Sequence, residues 1–380
     1  MKKIKLLLFT VSQKNIGPSK SLIETSAVLD RAKYEIIFCT IDNFVSEVID
    51  NLLFENNIKS INLGLNKYLD FRTIIRLRKI LRSERVDILQ TRLIRADFYG
   101  RIAGKFSKVP LIVTNITNNF KKHYEDYHGI LPKLAYELTN IFSDVIVVNS
   151  KCLFAELKHN KYFKNINIEY IPNGVNLNTY KYSEESRNYF RSKYYYTNDF
   201  FLIGSTGRVV KSKGFINFVR AAKKVKDVIP NVQFLIAGAK EDVNEINNEI
   251  SRLNLESSFK LIGQYNNIPE LLSALDLYVF TSYHEGMPNS VLEALACGLP
   301  IVAFDAPGVN ELVEDRENGF LIADRCELEL AKAVIKVLLD NELRNRMRKN
   351  ARDYVLQNYG IQDISKKFDK LYEKYQWLIL

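Results

Sequence analysis

The stretch from Asp276 to Ala303, DLYVFTSYHEGMPNSVLEALACGLPIVA, decides the fold of this chain. It opens with an apolar run, Leu277–Phe280, which is short enough to be a strand buried on both faces. A polar loop follows, and Pro288 stands where the first residue of a helix is expected, because its ring fixes φ and its missing N–H is not needed there. The helix is predicted to run to about Cys297 and to end at the glycine that follows. A strand, a polar loop and a helix N-terminus in this order form a ligand-binding edge in open α/β sheets.

Two features of this loop and helix suit a phosphorylated ligand. The first helical amides, around Asn289 to Val291, have no partner inside the helix and carry partial positive charge, which favours a phosphate. Two carboxylates, Glu285 in the loop and Glu293 in the helix, bracket those amides. The same spacing between glutamates recurs elsewhere in the chain by chance. Only here does a glutamate precede a Pro-capped helix after a buried strand.

The segment HEGMPNSVLEALACGLPIV, from His284 to Val302, resembles the donor-site signature of the retaining family 4 glycosyltransferases. These are GT-B-fold enzymes that use nucleotide sugars. The resemblance implies that Glu285 contacts the hydroxyls of the donor sugar and that Glu293 contacts the ribose hydroxyls. It also implies that the donor is bound by the residues between the two carboxylates, namely Gly286, Met287, Pro288, Asn289, Ser290 and Val291.

A second basic segment, GRVVKSKGF, follows the predicted strand that ends at Gly207. Arg208 and Lys213 lie just ahead of a helix, where a guanidinium and an ammonium suit a diphosphate; the alternative is two surface cations near a turn. The segment matches the family pattern G-R-x4-K-G, which implies that Gly207 belongs to the donor site and that Arg208, Lys213 and Glu285 are catalytic. Tyr265, after another strand end, stands where family members approach the nucleotide base.

The chemistry expected of such a site is the transfer of a sugar away from a diphosphate. The full sequence has no Asp-x-Asp motif, which many transferases use to hold a metal ion. The cations and the helix amides are therefore expected to stabilise the leaving diphosphate by fixed electrostatics, with no metal and no cofactor besides the nucleotide-sugar donor. Retention of the anomeric configuration is implied by the resemblance alone.

The first half of the chain alternates short apolar runs with amphipathic segments, which predicts βαβ units and a parallel sheet. The runs are Ile4–Thr10, Tyr34–Thr40, Ile58–Leu63, Val86–Gln90, Leu111–Thr114, Val145–Asn149 and Ile166–Ile171. Gly17 is predicted to give a flexible turn ahead of a helix over Ser19–Arg31. By the resemblance, Gly17 approaches the donor phosphate or the acceptor.

Family relatives place a histidine directly after the strand that corresponds to Leu111–Thr114, and this chain does not. Either Thr117 or Asn118 replaces it as a hydrogen-bond donor, or His123 reaches the site from the following loop. The other nearby histidine is His128. None of these residues is predicted to be catalytic.

The predicted fold class is α/β of the GT-B type, with two doubly wound Rossmann-like domains facing a cleft. The turn Pro172-Asn173-Gly174 resembles the family's interdomain linker. Residues 1–172 are predicted to form the acceptor-side domain and residues 173–358 the nucleotide-sugar-binding domain. Residues 359–380 are predicted to form a helix that crosses back onto the N-terminal domain through Leu371, Tyr375 and Leu378.

The formal charge of +10 lies entirely in the first half. Residues 1–172 hold 27 Lys and Arg against 17 Asp and Glu, while residues 173–380 hold 27 of each. The most cationic predicted helix is Arg72–Arg85, with Ile74, Leu77 and Leu81 as its apolar stripe. This charge suits either an ordinary solvated surface or an anionic membrane surface. By the resemblance, a loop with Lys121, Lys122, Tyr124 and Tyr127 belongs to the same acceptor-side domain.

No apolar stretch approaches the roughly 18 residues that a membrane-spanning helix needs, and the N-terminal MKKIKLLLFT is predicted to be a strand rather than a signal peptide. The four cysteines have no metal-site spacing and are predicted to be reduced, mostly buried thiols. The expected location is therefore cytoplasmic, with peripheral association to the inner face of the cell membrane.

The predicted function is a retaining glycosyltransferase that moves a hexosyl or N-acetylhexosaminyl group from a nucleotide sugar to a hydroxyl acceptor. The expected acceptor is a glycan or a polyprenyl-phosphate-linked sugar of surface polysaccharide synthesis, and no nucleic acid partner is expected. Two alternatives remain open: a GT-B sugar-nucleotide epimerase, which needs no acceptor, and a non-catalytic glycosyltransferase-like subunit, which turns over nothing.

Overall fold

The computed structural model describes residues 2–14, 16–67, 70–117, 130–239 and 243–379. The chain divides into two compact units: the first combines residues 1–174 with residues 361–380, and the second holds residues 175–360. The boundaries drawn from the sequence, after residues 172 and 358, each fall two residues earlier. The two backbone segments at these boundaries are hydrogen-bonded to each other: the Val175 N–H donates to the Tyr359 carbonyl at 2.9 Å.

The first unit is built on a parallel sheet of seven strands in the order β3-β2-β1-β4-β5-β6-β7. The strands are β1 (Ile4–Thr10), β2 (Tyr34–Thr40), β3 (Lys59–Asn62), β4 (Ile88–Arg92), β5 (Leu111–Ile116), β6 (Val145–Val148) and β7 (Asn167–Tyr170). The strand order reverses between β1 and β4. In open α/β sheets, ligands bind beyond the carboxyl ends of the strands near such a reversal.

Helices cover both faces of this sheet. Those from the N-terminal segment are α1 (Ile16–Ala27), α2 (Glu47–Glu55), α3 (Arg72–Ser83), α4 (Ile94–Ser107), α5 (Ile130–Thr139) and α6 (Lys151–Lys158). The C-terminal segment returns to the first unit as α14 (Ile361–Lys374) and α15 (Gln376–Ile379).

The core of the first unit explains why the C-terminal helix returns to it. Helix α14 places Ile364, Phe368 and Leu371 among the residues of β1, β4, β5 and β6 that face α1. The Tyr34 hydroxyl of β2 also donates to Asp369 at 2.6 Å. The apolar stripe of α14 thus completes one face of the N-terminal sheet. Tyr375, which follows α14, is partly buried at the edge of the same apolar cluster.

The second unit repeats the design with a parallel sheet of six strands in the order β10-β9-β8-β11-β12-β13. The strands are β8 (Phe201–Thr206), β9 (Val232–Ala237), β10 (Phe259–Gly263), β11 (Leu277–Phe280), β12 (Ile301–Phe304) and β13 (Gly319–Ile322). The helices are α7 (Glu184–Lys193), α8 (Phe215–Val228), α9 (Val243–Arg252), α10 (Ile268–Ala274), α11 (Asn289–Ala296), α12 (Glu327–Leu339) and α13 (Asn341–Asn358). This strand order reverses between β8 and β11.

A buried ion pair anchors the start of β11 to α7. Arg191 is 2% exposed and donates through Nη2 to Asp276 Oδ2 at 2.7 Å, while its other nitrogens donate to backbone carbonyls. Arg187 donates to the other oxygen of Asp276 at 2.9 Å, and the Leu202 N–H of β8 donates to Oδ2 at 2.8 Å. A buried ion pair is tolerated when its remaining hydrogen-bonding capacity is filled, as it is here.

Three local expectations are corrected by the structure. Helix α1 begins at Ile16 and ends at Ala27, rather than spanning Ser19–Arg31. A proline is tolerated in the first turn because the amide it lacks would have no partner, so Gly17 lies inside the helix and not in a preceding turn. The expected end at Arg31 is replaced by a turn in which Asp30 Oδ1 accepts from the Ala32 N–H at 2.8 Å.

The cysteines are free, but only two of the four are buried. Burial raises the pKa of the Cys297 thiol to about 12 and raises that of Cys39 further above its usual range. Both thiols are therefore protonated and unreactive at neutral pH. Cys326 is half-buried and Cys152 is exposed, so the prediction of mostly buried thiols was wrong for half of them.

Candidate active site

A lysine and a glutamate meet where β8 and β11 end in the second unit. Lys213 closes a single 3-10 turn that leads into α8, and Glu285 lies in the loop between β11 and α11. Lys213 Nζ is 2.5 Å from Glu285 Oε1, and both side chains are largely buried. The hydroxyl of Ser282 donates to the same carboxylate oxygen at 2.6 Å. The two residues predicted from separate motifs thus lie in direct contact, at the strand-order reversal of this sheet.

The loops around this pair pack backbone against backbone. A Cβ on Gly214 would lie 2.3 Å from the Thr281 carbonyl, and a Cβ on Gly308 would lie 1.6 Å from the Gly286 carbonyl. Both glycines have φ in the left-handed region, at +62° and +79°. No other residue type fits at either position, and the close packing fixes the loop that carries Glu285.

The N-terminus of α11 lies directly after this loop. Pro288 is extended, with φ −74° and ψ 113°, and it occupies the N-cap position. The helix begins at Asn289, so the prediction of Pro288 as the first helical residue was wrong by one position. The Pro288 carbonyl already accepts the first helical bond, from Leu292 at 3.2 Å. Proline has no side-chain acceptor that could cap the first-turn amides.

Helix α11 is otherwise a core element. Val291 is buried, and Met287, just before the helix, is 4% exposed within the same apolar cluster. Glu293 is half-buried and accepts from the Tyr180 hydroxyl at 2.8 Å. It is not a solvated helix residue, because the structure gives its carboxylate a specific partner. Gly298 ends this segment with φ +72°, as the sequence predicted.

The other residues predicted for the donor site occupy different surroundings. Arg208 is exposed and follows Gly207, whose φ is +149°. The Tyr265 ring packs beside Phe190 and lies under Lys193, with Nζ 5.3 Å from the ring centroid. The Tyr265 hydroxyl donates to Glu270. Tyr265 is thereby held as part of an aromatic cluster next to the end of β10.

Two of the predicted positions belong to the first unit. Gly17 has no atom within 4 Å of where a Cβ would lie, so the space beside it is open. Thr117, one of the candidates for the missing histidine, is half-buried and follows β5. Asn118, His123 and His128 lie outside the described residues, as do Lys121, Lys122, Tyr124 and Tyr127.

Sequence reasoning missed several residues that the structure makes prominent. Ser282 supports Glu285, and the Asn217 side chain donates to the Tyr283 hydroxyl at 2.8 Å, joining α8 to the loop after β11. In the first unit, the missed residues are Arg92 and Asn149, at the ends of β4 and β6. A signal was available for Asn149, which is the polar residue that ends the run Val145–Asn149. No such signal marks Arg92, because the apolar run before it stops at Gln90.

Two family models match the two halves of the chain. Residues 17–179 match the family described as Glycosyltransferase Family 4, and residues 187–354 match Glycosyl transferases group 1. The chain belongs to these glycosyltransferases. Together the two matches cover most of both units, including β8, the Lys213 turn and α11.

Relatives of this glycosyltransferase include curated bacterial enzymes of similar length. An Escherichia coli UDP-Gal:alpha-D-GlcNAc-diphosphoundecaprenol alpha-1,3-galactosyltransferase is 27% identical over 367 residues, covering 94% of this chain and 93% of that protein. A Campylobacter jejuni N,N'-diacetylbacillosaminyl-diphospho-undecaprenol alpha-1,3-N-acetylgalactosaminyltransferase is 27% identical over 325 residues, covering 82% and 83%.

The fold of the glycosyltransferase is that of solved GT-B structures. The crystal structure of Anabaena HepE in complex with UDP and glucose matches it with a TM-score of 0.84 at 23% identity, covering 97% of this chain and 99% of that one. Among the helices that the structure describes, none has both the length and the apolar character required to cross a membrane.

Proposed function

We propose that this glycosyltransferase moves a sugar from a nucleoside diphosphate sugar to a hydroxyl of a lipid-diphosphate-linked acceptor, with retention of configuration. The observation that carries the proposal is the contact between Lys213 and Glu285 next to the N-terminus of α11. The printed activities of the Escherichia coli and Campylobacter jejuni relatives support the acceptor class and a hexosyl or N-acetylhexosaminyl donor. Complexes of the HepE structure with UDP support a uridine donor.

The proposed chemistry places an anion near Lys213 when the donor binds. Cleavage of the anomeric C–O bond leaves both electrons on the diphosphate, whose growing charge is stabilised by Lys213, by Arg208 and by the first amides of α11. The acceptor hydroxyl oxygen forms the new bond to the anomeric carbon, and its proton passes to the leaving diphosphate. Without substrate, Lys213 is paired with Glu285. A bound diphosphate competes for the ammonium and so frees carboxylate lone pairs of Glu285 for the hydroxyls of the donor sugar. Ser282 keeps the carboxylate in place during this exchange.

The nucleoside is assigned to the remaining predicted residues. Glu293, oriented by Tyr180, accepts hydrogen bonds from the ribose hydroxyls, and Tyr265 lies next to the base. The backbone around Gly207 and the segment from Gly286 to Val291 contact the phosphates and the sugar, and Gly17 leaves space for substrate on the first unit.

The chemical step is proposed to need no metal ion, because Lys213, Arg208 and the α11 amides supply positive charge where the leaving group develops negative charge. The full sequence also lacks an Asp-x-Asp motif. Transfer is therefore expected to continue in EDTA. Complete loss of transfer in EDTA that Mg²⁺ or Mn²⁺ restores would contradict the metal-free step.

Helix α3 supports peripheral binding to the cytoplasmic leaflet. The predicted apolar stripe faces the core: Leu77 and Leu81 are buried, and Ile74 is partly buried against the same cluster. Ile75 lies outside this stripe and is exposed. Exposed Phe71 and Ile75 are one turn apart, beside exposed cations of the same helix. An apolar pair surrounded by arginine and lysine suits the interface of an anionic bilayer.

The membrane proposal is tested by sedimentation with vesicles. The protein is expected to pellet with anionic vesicles at low salt, and less so at high salt or with neutral lipid, because each basic residue near the surface adds about 1 kcal/mol of screened attraction. Protein that stays in the supernatant with anionic vesicles at low salt would contradict membrane binding and leave the transferase assignment intact.

The transferase proposal is tested by donor turnover. Nucleotide sugars are first screened for an increase in melting temperature, since a ligand that binds the folded state stabilises it. Nucleotide release is then measured with and without a lipid-diphosphate-linked sugar acceptor. A transferase releases nucleotide faster with acceptor and forms a glycosylated product. Interconversion of donor sugars without acceptor would indicate an epimerase, and no turnover across the panel would indicate a non-catalytic subunit.

A further inference from the structure

A polar recess lies at the carboxyl ends of β4 to β7 in the first unit, between the sheet and helices α1 and α14. It is partly open to solvent, and its polar lining includes Thr25, Arg92, Asn115, Thr117 and Asn149. All of its lining residues belong to the first unit. Lys213 and Glu285, by contrast, belong to the second unit.

The recess arises from a regular change along three neighbouring strands. On the face covered by α1 and α14, β5 carries Leu111 and Val113, and β6 carries Val145 and Val147. The next position on that face is Asn115 in β5 and Asn149 just after β6, because side chains alternate between faces. Arg92 ends β4 and is in register with Asn115. Three strands thus exchange apolar side chains for polar ones at the same level of the sheet.

These polar groups are buried without partners. Asn115 is 2% exposed, and among the residues that the structure describes neither its Oδ1 nor its Nδ2 has a hydrogen-bond partner. Asn149 Oδ1 and Arg92 Nε also lack partners within the described ranges. Leaving a buried polar group unpaired costs about 1–3 kcal/mol, so several together in one recess indicate a ligand that is absent here.

The cation in the recess also lacks a close counter-ion. Arg92 Nη1 donates to the Pro18 carbonyl at 3.1 Å, and in the described part of the chain no carboxylate lies within 4.0 Å of the guanidinium. Burial lowers the pKa of Arg92 to about 10, an effect that Asp97 at longer range partly offsets, so the group stays charged at neutral pH. A buried charge without a partner is unfavourable, which makes the recess a favourable place for an anion.

The backbone beside Arg92 is strained. Leu93 has φ 79° and ψ 136°, a conformation that costs a non-glycine residue about 1–3 kcal/mol. This residue separates β4 from α4 and fixes the direction in which the chain leaves Arg92. Strain of this kind persists where the surrounding structure enforces it, and it is most common at ligand sites.

We propose that this recess binds a phosphoryl group of the acceptor. The phosphoryl oxygens accept hydrogen bonds from the Arg92 guanidinium and from the Asn115 side-chain amide, and a neighbouring hydroxyl of the acceptor donates to Asn149 Oδ1. The inference rests on the proposed transfer to a phosphorylated acceptor and assigns that acceptor to the first unit. A guanidinium is the side chain best suited to a phosphoryl group, because its N–H groups match two oxygens. The recess is open, so the remainder of the acceptor stays outside it.

The binding test uses the full-length protein with saturating UDP, so that the donor site of the second unit is filled. Inorganic phosphate is then titrated at constant ionic strength, with chloride as the exchanged anion, and the melting temperature is followed. Phosphate at ten times its Kd is expected to raise the melting temperature by about 3 °C. Arg92→Gln and Asn115→Leu are expected to abolish the increase, while Lys164→Gln, a change at an exposed cation of the same unit, is expected to keep it.

Asn115→Leu keeps the test decisive if Arg92→Gln fails to fold. Leucine has nearly the same size and removes two buried unpaired atoms, so this variant is expected to melt at or above the wild-type temperature without phosphate. A phosphate response that survives in both recess variants, or that is absent from the wild type, would overturn the proposal. The first result would indicate phosphate bound elsewhere, and the second a recess that holds only water.

A kinetic arm separates an acceptor phosphoryl group from free phosphate. With a water-soluble short-chain lipid diphosphate sugar as acceptor, Arg92→Gln is expected to raise the KM for the acceptor at least tenfold and leave the KM for the donor unchanged. Unchanged acceptor KM with loss of phosphate binding would mean a free-phosphate site and would overturn the acceptor assignment. If the protein bound phosphate through Arg92 but had no transferase activity, the proposed function would be contradicted, while the phosphate site in the recess would stand.

Discussion

Arg191 in the second unit and Arg92 in the first are buried to a similar extent, 2% and 6% exposed, yet their surroundings differ. Arg191 has a carboxylate at 2.7 Å and three backbone carbonyls, which together use all of its nitrogens. In the described part of the chain, Arg92 has one carbonyl as its partner and an unpaired Nε. A guanidinium that holds a fold together is fully paired by the fold itself. A guanidinium that is buried and incompletely paired at the end of a parallel strand is positioned to bind an anionic ligand.

The difference predicts unequal costs when either guanidinium is removed. Arg191→Met leaves Asp276 buried with a reduced set of partners, and we expect a loss of about 3–5 kcal/mol. Arg92→Met removes one hydrogen bond and one unfavourably buried charge, and we expect a change of no more than about 1 kcal/mol. Melting temperatures of the two variants provide the comparison. An equal loss in both would mean that Arg92 is structural, which would contradict its assignment to a ligand.

Removing the cation of the Lys213–Glu285 pair in the second unit is expected to have a large effect on activity rather than on stability. Lys213→Ala is expected to lower kcat/KM for the donor by about 10² or more, because a fixed cation facing the leaving diphosphate acts mainly in the transition state. Arg208→Ala is expected to lower it on the same scale. Lys211→Ala, which removes an exposed lysine of the same 3-10 turn, is the matched control and is expected to keep wild-type activity. Equal activity in Lys213→Ala and Lys211→Ala would contradict the diphosphate role.

A smaller effect is expected from a third buried charge, Asp97 in α4. Burial raises the pKa of this carboxyl to about 6 from 3.8, against the opposing influence of Arg101 and of hydrogen bonds from Thr91 and Tyr136. The folded state therefore holds the proton more tightly than the unfolded state between about pH 4 and pH 6, and the free energy of unfolding falls as pH rises through that window.

Asp97→Asn removes this titration. The stability of the variant relative to the wild type is expected to improve by about 1–2 kcal/mol between pH 4 and pH 6. Urea unfolding midpoints at pH 4, 5 and 6 measure the difference. A stability difference that is constant over this range would show that the carboxyl does not titrate there.

The architecture was accessible from the sequence because buried parallel strands are nearly continuous apolar runs. The runs Ile4–Thr10, Tyr34–Thr40 and Leu277–Phe280 coincide with β1, β2 and β11. Lys213 and Glu285 were both identified from motifs. Their direct contact was not predicted, because it depends on two loops that lie 68 residues apart, where the Thr281 hydroxyl donates to the Lys213 carbonyl.

The recess in the first unit could not be predicted because β4 was ended too early. The apolar run appeared to stop at Gln90, while the strand continues to Arg92 through its pairing with Asn115 in β5. An arginine at the end of a buried strand has low strand propensity and conflicts with the apolar pattern. Tertiary pairing outweighs that local preference, and sequences depart from their own patterns most often where they bind ligands.

Two-substrate steady-state kinetics test the division of tasks between the two units most directly. With the donor and acceptor found active by screening, each substrate is varied against the other for wild type, Arg92→Gln and Lys213→Ala. We predict that Arg92→Gln raises only the KM for the acceptor, and that Lys213→Ala lowers kcat and kcat/KM for the donor without raising the KM for the acceptor. If both variants instead changed the same parameter for the same substrate, the assignment of donor phosphates to the second unit and acceptor phosphate to the first would be wrong.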